Sequence, residues 1–136
     1  MTAPEGTQAI PVSSDQDVVR VRQLVRTVSV AVKLSLVDQT KLVTAASELA
    51  RNTLVYGGGG VVEVSRVENG RRQGIRIVFA DQGPGIADLQ LALTDGYTTG
   101  GGLGLGLSGA RRLVDEFDID TAVGQGTTIS VTKWCR

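Results

Sequence analysis

Six of the ten residues from Gly100 to Gly109 are glycine, and an amphipathic helix pattern begins directly after them. Ordering a glycine costs roughly 0.5–1 kcal/mol more than ordering an alanine, so this segment folds best where the backbone approaches another group closely. Leu103, Leu105 and Leu107 alternate with the glycines, and a plain Gly/Ser linker has no use for such an apolar side. The pattern predicts a loop that packs by its leucines and offers backbone N–H groups to an anion at a helix N-terminus.

Two known phosphate motifs match this run only in part. Gly104, Gly106 and Gly109 have the G-x-G-x-x-G spacing, but the dinucleotide motif directly follows a strand, whereas TDGYTTGG before it is turn-like. A Walker A motif would require Lys and Ser/Thr where this chain has Ala110 and Arg111. What remains is the prediction that backbone amides of this run contact an anion.

Composition excludes several kinds of chemistry. The 136 residues include no histidine, which removes histidine bases, histidine metal sites and phosphohistidine acceptors. Lys plus Arg and Asp plus Glu number 14 each, so the charge balance gives no reason to expect nucleic acid or an anionic membrane as a partner. With one cysteine, no signal peptide pattern and no membrane-length apolar run, we expect a single cytoplasmic domain over residues 1–136.

Hydrophobic periodicity predicts an α+β fold: a two-layer α/β sandwich with helices on one face of a mixed, mostly antiparallel sheet. The expected order is strand, two helices, hairpin, loop, helix, hairpin. The first strand is expected at 7–12, followed by a helix that Asp15 caps and that ends near Lys33, and by a helix that starts after Asp38 and ends near Tyr56. A hairpin around ENGRRQG, with a loop longer than two residues, comes next, and then a short helix or loop at ADLQLAL. The last elements are a helix that ends near Phe117 and a hairpin around GQG.

The second predicted helix carries a candidate polar pair. Glu48 and Asn52 lie four residues apart on one face, beside the buried stripe formed by Leu42, Ala46, Leu49 and Thr53. This places a carboxylate and an amide at the rim of the core. Asn is an oxygen ligand suited to Mg²⁺, and Glu48 is then available as a general base. A solvated Glu and Asn on an amphipathic helix is the ordinary alternative.

A second candidate is Asp81, where the apolar strand IVFA runs into DQGPGI. A carboxylate at the end of a buried strand can accept a hydrogen bond from a ligand amine, although an ordinary Asp-Gly turn fits the letters equally well. Together with Glu48, Asn52 and the glycine loop, Asp81 predicts a nucleotide site.

The segments SELARN, DQGPGI and GGLGLGL, in that order and followed by GQGTTI, resemble the ATP motifs of the GHKL (Bergerat-fold) superfamily of ATPases and kinases. Over its whole length the chain is similar to the anti-sigma-factor-type serine kinases, and most of all to the RsbT-type switch-protein kinases of the stressosome. The resemblance implies Glu48 as the catalytic base, Asn52 as the Mg²⁺ ligand and Asp81 as the partner of the adenine amino group. The nucleotide-binding residues that it further implies are Gly83, Gly85 and Ile86 in the pocket floor, Thr98 and Thr99 in a short lid, Gly101, Gly102, Leu103, Gly104, Leu105 and Gly106 around the phosphates, and Thr127 through water.

The same resemblance implies ATP and Mg²⁺ as cofactors and a serine on a STAS-domain antagonist protein as the substrate. The further partners that it implies are a STAS scaffold, a PP2C-type phosphatase and a sigma factor, within a partner-switching stress response. Two alternatives stay open: an anti-sigma factor whose binding is set by nucleotide, and a switch whose main output is phosphatase activation. The arginines of the first helix (Arg20, Arg22, Arg26) and Arg111 with Arg112 could contact a partner, or could be solvated helix faces.

Overall fold

The computed structural model describes residues 6–87, 93 and 106–136. Three helices and five strands lie in these ranges, in the order expected from the sequence. They are β1 (Gln8–Val12), α1 (Asp15–Ala31), α2 (Leu36–Val55), β2 (Gly60–Asn69), β3 (Arg72–Asp81), α3 (Leu107–Leu113), β4 (Glu116–Ala122) and β5 (Gly126–Trp134). None of the helices among the described residues has the length and apolar character needed to cross a membrane.

The five strands form one sheet in the order β1-β2-β3-β5-β4, and every neighbouring pair is antiparallel. The parallel component of the expected mixed sheet is therefore missing from the described residues. Strands β3 and β5 lie side by side because the chain leaves the sheet after Asp81 and returns through α3 and β4. This crossover brings Asp81 directly opposite Thr127.

The core lies between the helices and one face of this sheet. Alternate residues of β3 (Ile75, Ile77 and Phe79) point inward and are at most 1% exposed, as the period of two in a strand requires. The other face presents Glu63, Arg76 and Thr128, which are exposed. Helix α2 packs across β1, β2, β3 and β5 and also contacts α1 and α3, so it is the central element of the helical layer.

Both long helices begin at a serine rather than at the aspartate expected from the sequence. Ser14 caps α1 by accepting a hydrogen bond from the Asp17 N–H, and Ser35 caps α2 through the Asp38 N–H. Asp15 therefore lies inside the first turn, where the negative charge of a carboxylate interacts favourably with the helix dipole. Helix α2 starts before Asp38, not after it. The N–H of Ser13 donates to Asp17 and lowers the pKa of that carboxyl group.

Two turns also differ from the expectation. The β2–β3 hairpin closes with only Gly70 and Arg71 between the strands, since Asn69 pairs with Arg72. Gly70 has φ of +62° at the first central position, which is typical of tight hairpins. The helix that was expected to reach Phe117 ends at Leu113, and Phe117 belongs to β4. The expected short helix or loop at ADLQLAL lies mostly outside the described residues.

A buried ion cluster joins the end of β5 to the start of α2. Lys133 is 3% exposed, and its Nζ lies 3.5 Å from an oxygen of Asp38 and 3.7 Å from one of Asp115. Arg136 lies 2.9 Å from Asp115 and 3.9 Å from Asp38. Two cations therefore face two carboxylates, so the charge of each buried group is compensated.

Trp134, the single tryptophan, lies at the same end of the sheet. Its indole N–H donates to Glu116 at 2.6 Å. It pairs with Gly74 on β3, where a Cβ would lie 2.7 Å from the indole ring. The glycine therefore lets the indole lie directly on the strand.

Gly60→Ala tests how closely the end of α2 approaches the sheet. A Cβ at Gly60 would lie 2.0 Å from the Ala80 carbonyl oxygen and 2.8 Å from the Thr53 methyl group, and neither can move freely. We expect the free energy of unfolding to fall by about 3 kcal/mol, measured by urea denaturation. Gly109→Ala is the matched control, because its Cβ would meet nothing within 4 Å and alanine favours a helix by roughly 0.5–1 kcal/mol. Equal stability of the two variants would contradict this account of the packing.

Candidate functional site

Asp81 is the last residue of β3 and has a half-buried carboxylate. Its Oδ1 accepts a hydrogen bond from the Gly83 N–H at 2.8 Å. Among the described residues, its Oδ2 has no hydrogen-bond partner. An ionised carboxylate only accepts hydrogen bonds, so this oxygen is suited to a donor group of a ligand.

Glycines leave room for this carboxylate. A Cβ at Gly57 would lie 2.4 Å from the Asp81 Cγ, and one at Gly83 would lie 2.7 Å from the Gly57 Cα. The end of α2 and the loop after β3 therefore contact Asp81 from two sides. Gly83 and Gly85 are not among the residues that line the cleft described below, and their expected place in the pocket floor stays a prediction.

The loop after Asp81 is fixed by hydrogen bonds to residues far away in the chain. The Tyr56 hydroxyl donates to the Gly85 carbonyl at 2.7 Å, and the Ile86 N–H donates to the Thr121 hydroxyl at 2.9 Å. Gly85 has φ of +75°, and a Cβ there would lie 2.1 Å from the Ala122 carbonyl oxygen. The loop is thus held between α2 and β4.

Thr127 stands across from Asp81 in the β3–β5 pair. It is 5% exposed, and its hydroxyl lies 2.8 Å from that of Thr121. A hydroxyl group that makes one hydrogen bond to another hydroxyl can still make a second one, because it has one donor hydrogen and two acceptor lone pairs. Thr127 can therefore support a polar ligand group next to Asp81.

Helix α2 positions Glu48 and Asn52 as the period of 3.6 predicts. The stripe formed by Leu42, Ala46, Leu49 and Thr53 is buried against the sheet. Asn52 is half-buried and lines the same cleft as Asp81, whereas Glu48 is exposed one turn earlier. A Cβ at Gly106, the N-cap of α3, would lie 2.7 Å from a Glu48 carboxylate oxygen. Glu48 therefore lies beside the point where the glycine run enters α3.

The cleft brings together four of the predicted site residues: Asn52, Asp81, Ile86 and Thr127. Its floor is apolar and includes Phe79 and Leu107, the latter 1% exposed as its place in the leucine alternation predicts. The open volume is only about 20 Å³, well below the roughly 300–1,000 Å³ of typical ligand sites. Binding of a nucleotide here requires the walls of the cleft to move apart.

Glu48 also borders a second, larger space. A groove of about 500 Å³ runs between α1 and α2 and is lined by Arg22, Arg26, Val43 and Glu48, among others. Glu48 therefore borders this groove, and the next residue, Leu49, lines the cleft.

The described residues contain no group of three or more Cys, Asp and Glu side chains that would hold a metal by themselves. The predicted lid and phosphate residues Thr98, Thr99, Gly101, Gly102, Leu103, Gly104 and Leu105 lie outside the described residues. Their assignment stays a prediction.

Two residues of the site were missed from the sequence. The sequence patterns predict Tyr56 only as the end of a helix and Thr121 only as part of a strand. The alternation of inward-facing and outward-facing residues along β4 could have indicated that Thr121 faces inward, because Phe117 and Ile119 lie on the same face of the strand. No local signal indicated that Tyr56 would reach Gly85.

Comparison with known families gives a match over most of the chain. Residues 37–135 match the family described as histidine kinase-, DNA gyrase B- and HSP90-like ATPases. The serine/threonine-protein kinase RsbT of Bacillus subtilis is 42% identical over 127 residues, which are 93% of this chain and 96% of the relative. An anti-sigma F factor of Thermoanaerobacter is 27% identical over 97 residues, covering 67% of this chain and 66% of that protein.

Solved structures support the fold. The crystal structure of the RsbU and RsbW domains of Rv1364c from Mycobacterium tuberculosis superposes with a TM-score of 0.60 at 20% identity. The superposition covers 96% of this chain and 32% of that one. A histidine kinase domain from Erythrobacter litoralis gives a TM-score of 0.52 at 18% identity, covering 97% of this chain and 65% of that one.

The family match begins in the first turn of α2 and ends beyond β5, so it spans the elements that form the cleft. The chain belongs to the histidine kinase-, DNA gyrase B- and HSP90-like ATPase family, in the branch of RsbT-like protein-serine kinases.

Proposed function

We propose that the chain transfers a phosphoryl group from ATP to a serine of a small STAS-domain antagonist protein. The observation that carries this proposal is the arrangement around one cleft: Asn52 and Asp81 line it, and Glu48 lies at its rim beside Gly106. A pure binding module has no need of a carboxylate at that position. The similarity to the serine/threonine-protein kinase RsbT of Bacillus subtilis also supports a kinase function.

In this proposal the adenine ring enters the apolar cleft and its amino group donates to Asp81. Such a bond to a half-buried carboxylate is charge-assisted and therefore strong. Thr127 supports the ring through a water molecule, and Gly83 and Gly85 shape the floor. The phosphates lie toward Gly106, where the glycine run enters α3.

The donor set fits Mg²⁺ as part of a nucleotide complex. This ion keeps several waters and binds through few protein ligands plus phosphate oxygens, so the single amide of Asn52 suffices. When bound, Mg²⁺ neutralises charge on the phosphate oxygens.

Glu48 is the proposed base for the transfer. Its carboxylate accepts the serine proton as the serine oxygen bonds to the γ-phosphorus and the bond to the ADP oxygen breaks. Positioning of the serine supplies much of the rate, because the phosphoryl group needs an in-line nucleophile more than covalent assistance. The α1–α2 groove, which ends at Glu48, offers a route for the serine-bearing segment.

The setting proposed for this kinase is cytoplasmic partner switching. A STAS scaffold would hold the antagonist, and release of the kinase would activate a PP2C-type phosphatase and so change sigma-factor activity.

The second candidate is an anti-sigma factor whose binding is set by nucleotide, which the anti-sigma F relatives favour. Incubation with γ-labelled ATP and STAS proteins, with and without Mg²⁺, separates the two: label on serine supports the kinase, and tight sigma-factor binding without transfer supports the alternative.

Glu48→Gln removes the proton acceptor but keeps the size of the side chain. We expect phosphoryl transfer to fall about 10²–10⁴-fold, as for loss of a general base, while nucleotide affinity stays within about twofold. Single-turnover transfer of labelled phosphate measures the first quantity. Glu63→Gln, on the exposed face of β2, is the control. Transfer at the wild-type rate by the Glu48 variant would exclude this role.

Asp81→Asn tests recognition of the base. The variant replaces one acceptor oxygen with a donor, so a ligand amine loses its charged partner. We expect nucleotide affinity to fall about 10–100-fold, measured by titration with a fluorescent ATP analogue. Asp118→Asn makes the same change on exposed β4 and should leave affinity unchanged. Equal affinities in the two variants would argue against a base contact at Asp81.

Gly57→Ala tests the site without changing any polar group. The added methyl group would overlap the Asp81 carboxylate and displace it from the cleft. We expect at least about a tenfold loss of nucleotide affinity. The control is Gly109→Ala, which meets open space. A thermal unfolding curve for each variant shows whether the fold is kept, and full nucleotide affinity in a folded Gly57→Ala protein would contradict the proposed position of the base.

A further inference from the structure

A further concave surface lies at the end of the sheet opposite Asp81. Its volume is about 490 Å³, and it is enclosed by the end of α1, the β2–β3 turn and residues that follow β5. We call it the distal basic cavity. Its lining residues are Ala31, Val32, Lys33, Arg66, Arg71, Arg72, Gln73, Cys135 and Arg136.

Positive charge dominates this cavity. Five of its nine lining residues are cationic and none is acidic. Arg136 is paired with Asp38 and Asp115. In the part of the chain that the structure describes, the other four cations form no ion pair. Glu68 lies on β2 two residues beyond Arg66, and both residues border a neighbouring hollow.

The four unpaired cations project from well-defined backbone. Lys33 follows α1 in the left-handed region, with φ of +66°, and the Leu34 N–H closes the helix end on the Ser29 carbonyl. Arg71 and Arg72 belong to the tight β2–β3 hairpin, and Arg66 is paired with Ile75 in the sheet. Their positions around the cavity are therefore fixed by the fold, although the side chains are exposed.

The floor of the cavity is less polar than its rim. The uncharged lining residues include Ala31, Val32 and Cys135, and the Cys135 thiol donates to the Val32 carbonyl at 3.0 Å. Burial and the nearby Asp38 carboxylate raise the pKa of this thiol, so at neutral pH it stays uncharged and adds no negative charge to the cavity.

We propose that the distal basic cavity binds an acidic segment of a partner protein, with two or three carboxylates on the arginines and an apolar side chain on the floor. Arginine binds carboxylates in a bidentate manner. Four cations spread around an open rim suit several separated charges better than one compact anion. A nucleic acid is disfavoured, because the chain has no net charge and a pI near 6.2.

This surface is remote from the nucleotide cleft. Strand β3 begins at Arg72 in the cavity and ends at Asp81 in the cleft, a span of about 30 Å for a ten-residue strand. A partner held here would leave Asp81, Asn52 and Glu48 accessible. The proposal therefore stands independently of the kinase assignment.

The test uses the whole chain, labelled with ¹⁵N, and the synthetic peptide acetyl-EELEELEE-amide. A peptide with glutamine in place of every glutamate is the control ligand. We expect amide shift changes around Lys33, Gly70, Gln73 and Cys135, and weaker binding at higher salt. Combined Arg66→Gln, Arg71→Gln and Arg72→Gln should weaken binding about tenfold, the effect of three exposed ion pairs of ordinary strength.

The matched control neutralises three exposed cations outside the cavity, as Arg20→Gln, Lys41→Gln and Arg76→Gln. It changes the net charge equally and should alter peptide affinity less than about twofold. Equal weakening in both triple variants, shifts confined to the α1–α2 groove, or equal binding of the glutamine peptide would overturn the proposal. Tighter binding of a short single-stranded oligonucleotide at the same residues would also overturn it. Titration with a fluorescent ATP analogue is the separate readout, and both triple variants should bind it as the wild type does.

Discussion

The close approach of α2 to the sheet is the constraint on which the rest of the structure depends. Ala45, Ala46 and Ala50 are fully buried along this helix, and such small side chains let its backbone lie near the strands. At its C-terminal end, Gly57 and Gly60 continue the contact with no side chain at all. Because the helix lies so close, the residues on its flank reach the end of β3. The polar pair of α2 is thus brought to the cleft by apolar packing.

The same packing explains how much of the fold was predictable from the sequence. The stripe of α2 and the alternation in β3 and β5 follow directly from the periods of 3.6 and 2, and the order of elements was confirmed. The helix starts were wrong because Ser and Asp are both good caps, and Ser14 and Ser35 each stand close to an aspartate. Only the actual hydrogen bonds decide between them. The ENGRRQG turn was judged by its composition, but strand pairing extends into its polar residues.

The candidate site divides in a similar way. Glu48, Asn52 and Asp81 were found because each lies within a local pattern, on a helix face or at a strand end. Tyr56 and Thr121 were missed because their partners lie 29 and 35 residues away. Such contacts depend on the β3–β5 crossover, which no local pattern specifies. The small volume of the cleft was also not foreseeable, since it results from the packing of side chains on four different elements.

Trp134 gives the molecule a built-in optical label, because the chain has one tryptophan. Its indole rests on Gly74 and is bonded to Glu116 at the end of the sheet away from Asp81. Its emission therefore reports on the β4–β5 end of the sheet and on Cys135 next to it, about 30 Å along β3 from the cleft. A change at this end of the domain can thus be followed without attaching a dye to the chain.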